Sequence, residues 1–523
     1  MNYKADASRT VKGTLGFVVQ SSATSLLGLI LFAVFARFVS KGEMGAYAGL
    51  TFTVTIMQLS GVLGLNTAAA RFTAKLLAEG ERAEASGVAR TILTAAALSG
   101  CFFSLLHYFS APHFSYLMSQ SYEYTGFFQA ASVIILIYVP LLTIEGLVQG
   151  VQEYWRLAML KVIGQIFRLL VCLWLFTSGW GVYGMIVGWS LLGTIMLLGS
   201  IPVLRWHLDF KDGKYGLKPI LRYSMPIMAA GLATYLSNSI DLFIVMSYGL
   251  PEELGAYNVA LAASGALSTI LVASATATLL PATSAVYGVA NVDGVNKVFF
   301  KASRYLALLF TPASFGLASL AWPVILIMGG ASYRESTAPL IVIGLTFLIY
   351  SLSTPITTSL TAIGETGKFL KITLASVVVG STVAALSYPI WGIIGAALGR
   401  ACLSICNLTF GFYQARKVFS PRFDLEALAK SLLASIVMAF TVHVGTSNLP
   451  SILSMPIGVM VGVTVYVMML RLTRAVKDED LRVLSEAISS KAWRLSEPIM
   501  DLASIILTGR RGSWRIQTGK ESS

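Results

Sequence analysis

A chain of 523 residues in which 55% are hydrophobic and only 12% are charged cannot fold as a water-soluble globule, because soluble domains carry charge on roughly a quarter of their residues. The formal net charge of +13 would suit a nucleic-acid-binding protein. Here, though, the basic residues punctuate apolar runs of about 20 residues, each long enough at about 1.5 Å per residue to cross a hydrocarbon core of about 30 Å.

Lys4, Arg9 and Lys12 precede an apolar run with no short signal-type core and cleavage site, which predicts an uncleaved first helix over 14–38. Helices follow at 46–68, 88–110, 127–149, 158–178 and 183–204, completing an N-terminal lobe at 1–206. A cytoplasmic inter-lobe loop at 207–223 leads to helices at 224–249, 255–287, 303–328, 337–362, 370–389 and 392–415, a C-terminal lobe over 224–416. A last pair at 428–447 and 451–472 lies within 417–472. In the cytoplasmic tail, 473–523, charge alternates with Leu481, Leu484, Ile488 and Trp493, which suits an amphipathic segment on an anionic leaflet. The expected fold class is an all-α polytopic membrane protein with about fourteen transmembrane helices, as two parallel six-helix pseudo-symmetric lobes plus a C-terminal helix pair.

Lys211, Lys214, Lys218 and Arg222 share one loop and Arg71, Lys75 and Arg82 another, whereas the facing loops hold Arg37, Lys41 and Arg334. Cationic loops stay on the cytoplasmic side, so both termini are expected there, in the cell membrane. The same rule accounts for the net charge with no nucleic acid as partner. Cys101, Cys172, Cys402 and Cys406 lie in apolar segments, and His107, His113, His207 and His443 stand singly. Neither pattern implies a metal, a cofactor or a disulfide. No long outward loop bears acids or histidines, which favours a transporter over a membrane enzyme.

The chain repeats itself. WGVYGMIVG at Trp180 to Gly188 returns as WGIIGAALG at Trp391 to Gly399, and GEMGAY ending at Tyr47 returns as PEELGAY ending at Tyr257. Six helices per copy is an even number, so the copies share one orientation and are related by an axis along the membrane normal. Such halves suggest a site at their interface and alternating access by rocking. The glycines of the first motif put small residues on one helical surface, where backbones approach closely.

The first helix ends in FARFVSKGEMGAYAG, the second runs through GVLGLNTAAARF and the seventh opens with RYSMPIMAAGLATYLSNSIDLFIV. The loop after the second helix, ARFTAKLLAEGERAEASG, lacks the acidic, glycine-rich and double-arginine signature of the major facilitators. These segments resemble the polysaccharide transporter family (O-antigen and oligosaccharide flippases) of the multidrug/oligosaccharidyl-lipid/polysaccharide exporter superfamily. The resemblance covers 9–472. It is weaker toward the lipid II flippase branch, because the first two helices are not rich in cavity-facing arginines.

The resemblance implies transfer of a polyprenyl phosphate- or pyrophosphate-linked oligosaccharide from the cytoplasmic to the outer leaflet. The partners are then that lipid-linked substrate, the membrane lipids and polysaccharide assembly proteins. The alternative is a cation-coupled (H+ or Na+) small-molecule or drug exporter of the same superfamily.

A charge near the bilayer centre costs about 2.5–3.5 kcal/mol on insertion scales, so charges there are site candidates. Lys161, Gln165 and Arg168, at i, i+4 and i+7, form one stripe from the cytoplasmic mouth to mid-membrane. The stripe serves either as a cationic ladder, with Arg168 a bidentate fork for phosphate, or as a scaffold in which Lys161 snorkels and Arg168 pairs locally. Glu145 is placed to pair with Lys161. Thr234, Asn238 and Asp241 form a second stripe, and Asp241 is either a substrate or coupling-ion ligand or the partner of a nearby arginine. Arg400, whose repeat counterpart is Trp189, is a candidate substrate contact that breaks the symmetry of the halves. Gln20, Ser21, Ser22, Thr24, Ser25, Gln58 and Asn258 serve either as cavity lining or as interhelical glue.

Overall fold

The computed structural model describes residues 20, 23–208, 213, 215–447, 449–477 and 479–480, and the regular structure among them is helical throughout. The expected tail, from residue 481 on, lies outside the described residues. So do the opening of the first expected helix (14–19, 21 and 22) and Lys211 and Lys214.

The helices follow the apolar runs in order. They are α1 (Ala23–Phe38), α2 (Lys41–Val62), α3 (Leu65–Ala78), α4 (Arg82–Ser119), α5 (Thr125–Gly150), α6 (Tyr154–Thr177), α7 (Gly181–His207) and α8 (Leu217–Tyr248). Then come α9 (Pro251–Ser268), a π-turn (Thr269–Ala273), α10 (Ser274–Ser319), α11 (Ala321–Met328), α12 (Thr337–Ile363), α13 (Thr366–Trp391), α14 (Ile393–Ala415), α15 (Leu425–Thr446) and α16 (Ser451–Leu472).

Among the described residues, 11 helices are long and apolar enough to cross a membrane, or 12 if α10 and α11, bent by 71°, form one span. The chain is thus a multi-pass membrane protein. The count of fourteen is not established. Of the first expected helix only Ala23–Phe38 is described. The helices expected at 255–287 and 303–328 are parted at Asn291, between them, whose φ of 50° and ψ of −142° are not helical, but the π-turn within the first and the 71° bend between α10 and α11 within the second keep them from being two plain spans.

Two compact units can be told apart. The first comprises residues up to 274 with 327–339 and 370–407; the second comprises 275–326, 340–369 and residues from 408 on. Within the first, the duplication read from sequence is visible as paired geometry. The side chain of Ser40 accepts from the amide of Glu43, and the Glu43 carboxylate accepts from the Ser40 amide at 2.8 Å, a capping box that starts α2. At the start of α9, the Leu250 amide donates to Glu253 at 3.1 Å in the same way, 210 positions on. Such a cap contributes about 1 kcal/mol.

The two helices then meet reciprocally. A Cβ on Gly45 would lie 1.9 Å from the Pro251 carbonyl oxygen, and one on Gly255 would lie 2.3 Å from that of Lys41, so both positions exclude any side chain. Position 251 is the counterpart of 41 and 255 that of 45, which makes α2 and α9 quasi-equivalent partners about a local two-fold axis.

The second motif packs as its glycines require. A Cβ on Gly188 of α7 would sit 2.1 Å from the Cys172 sulfur of α6, and one on Gly399 of α14 would sit 2.3 Å from the Ala384 Cβ of α13. Cys172 donates to the Gly184 carbonyl at 3.5 Å, and Ser387 donates to its counterpart, Gly395, at 2.8 Å. The small residues act through close helix contact.

The second unit contains the final helix pair. Leu320, Ala434, Met438, Val442, Tyr466 and Leu470 make one apolar cluster, and the Tyr466 hydroxyl donates to the Leu308 carbonyl at 2.7 Å. Below it, Arg304 is almost wholly enclosed. Its Nη1 donates to Asp424 at 2.8 Å, its Nη2 to Asp480 at 2.8 Å and to the Ala475 carbonyl at 2.6 Å. Asp424 also caps α15, accepting from the Ala427 amide at 3.0 Å. The residues just after α16 are thereby tied to α10 and to the start of α15.

Candidate functional site

α6 carries the first polar stripe. Its helical spacing does place Lys161, Gln165 and Arg168 in sequence along one side, but the three have different surroundings. Lys161 Nζ contacts Glu145 Oε2 of α5 at 2.9 Å, and the carboxylate is nearly buried. That cation is neutralised by its own chain. Gln165 is buried and faces α1, where a Cβ on Gly28 would lie 3.7 Å from its Nε2.

Arg168 is the exception. Its stem crosses Gly188, where a Cβ would lie 3.3 Å from Cγ. Tyr47 of α2, Tyr138 of α5 and Cys172 all lie close enough to the guanidinium to feel its charge. Among the described residues no carboxylate forms an ion pair with it, and its Nε is buried with no hydrogen-bond partner. A buried donor left unmade costs about 1–3 kcal/mol, and more when the group is charged. A half-buried guanidinium with a spare Nε donor, set among hydroxyls, is the chemistry of an oxyanion site.

The second cluster forms where α8, α9 and α14 meet. Arg400 Nε donates to Asp241 Oδ2 at 2.6 Å and Nη2 donates to Oδ1 at 2.9 Å, a two-pronged pair in which Asp241 is 2% exposed. The Tyr257 hydroxyl donates to the same Oδ2. Arg400 Nη2 also donates to the Asn238 carbonyl at 2.6 Å. The Asn238 side chain itself turns back to the Thr234 carbonyl at 2.9 Å, and Thr234 to that of Ala230 at 2.9 Å. Asp241 thus pairs with an arginine, one of the two readings its position allowed, and Arg400, Asp241 and the Asn238 carbonyl are one hydrogen-bonded group. Arg168 and Gln165 belong to the other cluster.

Other polar expectations resolve individually. Arg37 donates to the Ile327 carbonyl at 3.0 Å, and Arg71 stacks 4.4 Å from the Tyr223 ring centre. Asn258 reaches the Met44 sulfur at 3.8 Å and Thr24 the Gln20 carbonyl at 2.8 Å, as interhelical or intrahelical contacts. Gln58 is buried with its Nε2 unpartnered.

Sequence reading missed Tyr47, Tyr138 and Tyr257 as site neighbours. A signal was present for two of them, since Tyr47 and Tyr257 close the two copies of the duplicated segment. It went unread because tyrosine in an apolar run also suits packing or the head-group layer.

Comparison with known proteins adds family and fold. A family model described as "Polysaccharide biosynthesis protein" matches residues 34–338. One relative is the "Probable low-salt glycan biosynthesis flippase Agl15" of Haloferax volcanii, 22% identical over 282 residues; the match covers 52% of this chain and 59% of that protein, less than two thirds of its length. Another is the "Succinoglycan biosynthesis transport protein ExoT" of Rhizobium meliloti, 20% identical over 488 residues, covering 89% of this chain and 94% of that one. Among solved structures, "Lipid II flippase MurJ, inward closed conformation" superposes with a TM-score of 0.71 at 16% identity, over 88% of this chain and 98% of the other.

Proposed function

This chain belongs to the polysaccharide biosynthesis protein family, and from that premise we propose that it moves a lipid-linked oligosaccharide, held through a polyprenyl phosphate or pyrophosphate, from the cytoplasmic to the outer leaflet of the cell membrane. Both termini face the cytoplasm in this reading, and the two six-helix lobes rock about the site to give alternating access. The observation that carries it is Arg168, a guanidinium in the middle of an apolar helix with a buried, unpartnered Nε and no carboxylate partner among the described residues. Phosphate oxygens satisfy such a fork with charge-assisted hydrogen bonds, roughly twice as strong as neutral ones. Tyr47 and Tyr138 supply hydroxyls beside it, and Gln165 lies one turn away on the same stripe.

The relatives' printed descriptions, a glycan biosynthesis flippase and a succinoglycan transport protein, support a glycan cargo. The cation-coupled exporter is less well supported. As the structure stands, both oxygens of Asp241 are engaged by Arg400, and a coupling cation there would have to expel a guanidinium.

The test is the pool of lipid-linked oligosaccharide in cells lacking the protein, with the intact protein or Arg168→Ala restored. We expect intermediates stranded on the cytoplasmic leaflet, relieved by the intact protein and not by the variant at equal membrane abundance. An unchanged pool, accompanied by new sensitivity to lipophilic cations, would sink the flippase reading in favour of the exporter.

A further inference from the structure

The described residues between α7 and α8 lie fastened to α3 and α4. Gly213 rests on α4, where a Cβ would meet the Ala83 carbonyl oxygen at 1.8 Å, and its φ of 90° is left-handed, so glycine is required there on two counts. Arg90 donates to the Gly213 carbonyl, and Thr91 donates to that of Tyr215 at 2.9 Å. Ala83, Arg90 and Thr91 stand at i, i+7 and i+8, on one face of α4. Aromatic rings continue the fastening onto α3: Tyr215 packs 5.8 Å from Phe72, Phe72 meets Tyr223 edge-on at 5.8 Å, and Arg71 covers Tyr223. From there α8 enters with Ile220 and Ser224 buried, one turn apart, while the rest of 217–228 stays at least partly exposed. Gly64, whose φ is 68°, abuts this stretch, and a Cβ on it would lie 2.3 Å from the Ser224 carbonyl oxygen. The Ser224 hydroxyl is buried with no partner among the described residues. All of these residues belong to the first unit.

We propose that this connection is a strap that holds α8 against α3 and α4 on the cytoplasmic side, and that it lifts off α4 each time that side opens to admit cargo. The inference rests on the flippase reading, which supplies the alternating access, and adds the element that holds one of its states. The contact beneath the strap is weak by itself. It is a close backbone approach with two buried side chains from α8, one of which leaves its hydroxyl without a hydrogen bond that water restores on opening. The strap supplies what that contact lacks, through two side-chain bonds to carbonyls and a run of rings with a cation over it. Such bonds exchange readily with water and are modest in net strength, so they hold a state without freezing it. The strap also acts across the duplication, because it grips α3 and α4 of the first copy and leads directly into α8, the first helix of the second. The second copy therefore meets α2 at both ends, α9 at Gly45 and α8 just past Val62, and in alternating access these two contacts open by turns.

The experiment is hydrogen–deuterium exchange on the purified full chain in nanodiscs without cargo, comparing the native protein with Arg90→Gln plus Thr91→Val. Losing both bonds is expected to raise exchange over 217–224 about 10-fold, as two hydrogen bonds of modest net strength require. At the starts of α2 and α9, 41–45 and 251–255, exchange should slow, because molecules shift toward the state in which only the cytoplasmic side is open. A loosened loop alone would not produce that second, opposite response. Exchange unchanged at both ends overturns the strap, and so does a rise confined to 215–224, which is local fraying. If the double variant does not fold, Gly213→Ala decides on the same two readings, since its Cβ cannot lie on Ala83. Failure of the flippase reading looks different: the two-ended response would appear, yet the lipid-linked oligosaccharide pool would be the same with and without the protein.

Discussion

Arg304 and Arg168 are both arginines inside apolar helices, and their surroundings separate a fastening from a site. Arg304, in the second unit, gives its donors to Asp424, Asp480 and the Ala475 carbonyl, and its side chain is 6% exposed. Arg168, in the first unit, has a tyrosine-lined setting, a buried Nε without a partner and no carboxylate partner among the described residues. A buried cation is expensive unless matched. Where the chain itself supplies the match, the cation holds elements together; where it does not, the unmet donors are capacity for a ligand. The two therefore predict opposite phenotypes.

Breaking the fastening has the larger effect on the protein as a whole. Arg304→Ala strands two carboxylates, and removing one partner of a buried pair costs about 3–5 kcal/mol. We expect a collapse in membrane abundance and a large fall in thermal midpoint for any retained protein; a stable Arg304→Ala would remove the distinction. Next comes Arg168→Ala, with transport reduced about 10-fold or more, as loss of a charge-assisted pair of about 1.5–3 kcal/mol requires, and the thermal midpoint nearly unchanged. Arg168→Lys sharpens the point. It keeps the charge but not the fork, and should rescue transport only in part.

A smaller effect distinguishes the fastening by acid. Burial pushes the Asp424 carboxyl up, but the Ala427 amide and Arg304 more than reverse this and leave it below its ordinary value of 3.8. A carboxyl lowered by folding stabilises fully above its unfolded value and loses that contribution as pH falls through the lower folded one. Thermal scans should show the native protein losing stability below about pH 4 through this group, and Asp424→Asn should blunt that loss. An identical acid profile in both would show that Asp424 is not the titrating fastening.

How much of this was legible beforehand follows from what a sequence encodes locally. Helix existence was readable because about 20 consecutive apolar residues have one solution in lipid. The run from Pro251 to Met328 was readable in part: Asn291, Asp293, Asn296 and Lys297 mark the break between the helices expected at 255–287 and 303–328, whereas the π-turn at Thr269–Ala273 lies in an apolar stretch with no such mark. Glu145 and Lys161 were pairable by eye, as they face each other near the ends of consecutive helices. Asp241 was readable as a partner for an arginine, but which arginine was not. Hydropathy gives depth and periodicity gives a face; neither says which of many helices lies opposite, 159 positions away. The repeat carried more of that information than composition did, because Gly45 with Pro251 and Gly255 with Lys41 are one contact seen twice.

The smallest expected effect concerns Lys161, because it tests whether a paired cation can still serve the cargo. Read from spacing alone, Lys161 is the lower rung of a ladder leading to Arg168. In the structure its charge is cancelled by Glu145 at 2.9 Å, with the lysine side chain 30% exposed. A partly exposed pair of this kind contributes only about 1 kcal/mol or less to stability. Lys161→Met with Glu145→Gln removes both charges and should leave transport within about 2-fold of native, and Glu145→Gln alone should raise initial capture of an anionic cargo by a similarly small factor at low salt, an effect that screening erases. Transport lost in the double variant as fully as in Arg168→Ala would mean that pairing by the chain does not disqualify a cation from the site. The contrast between Arg304 and Arg168 would then need another basis than the presence of a carboxylate.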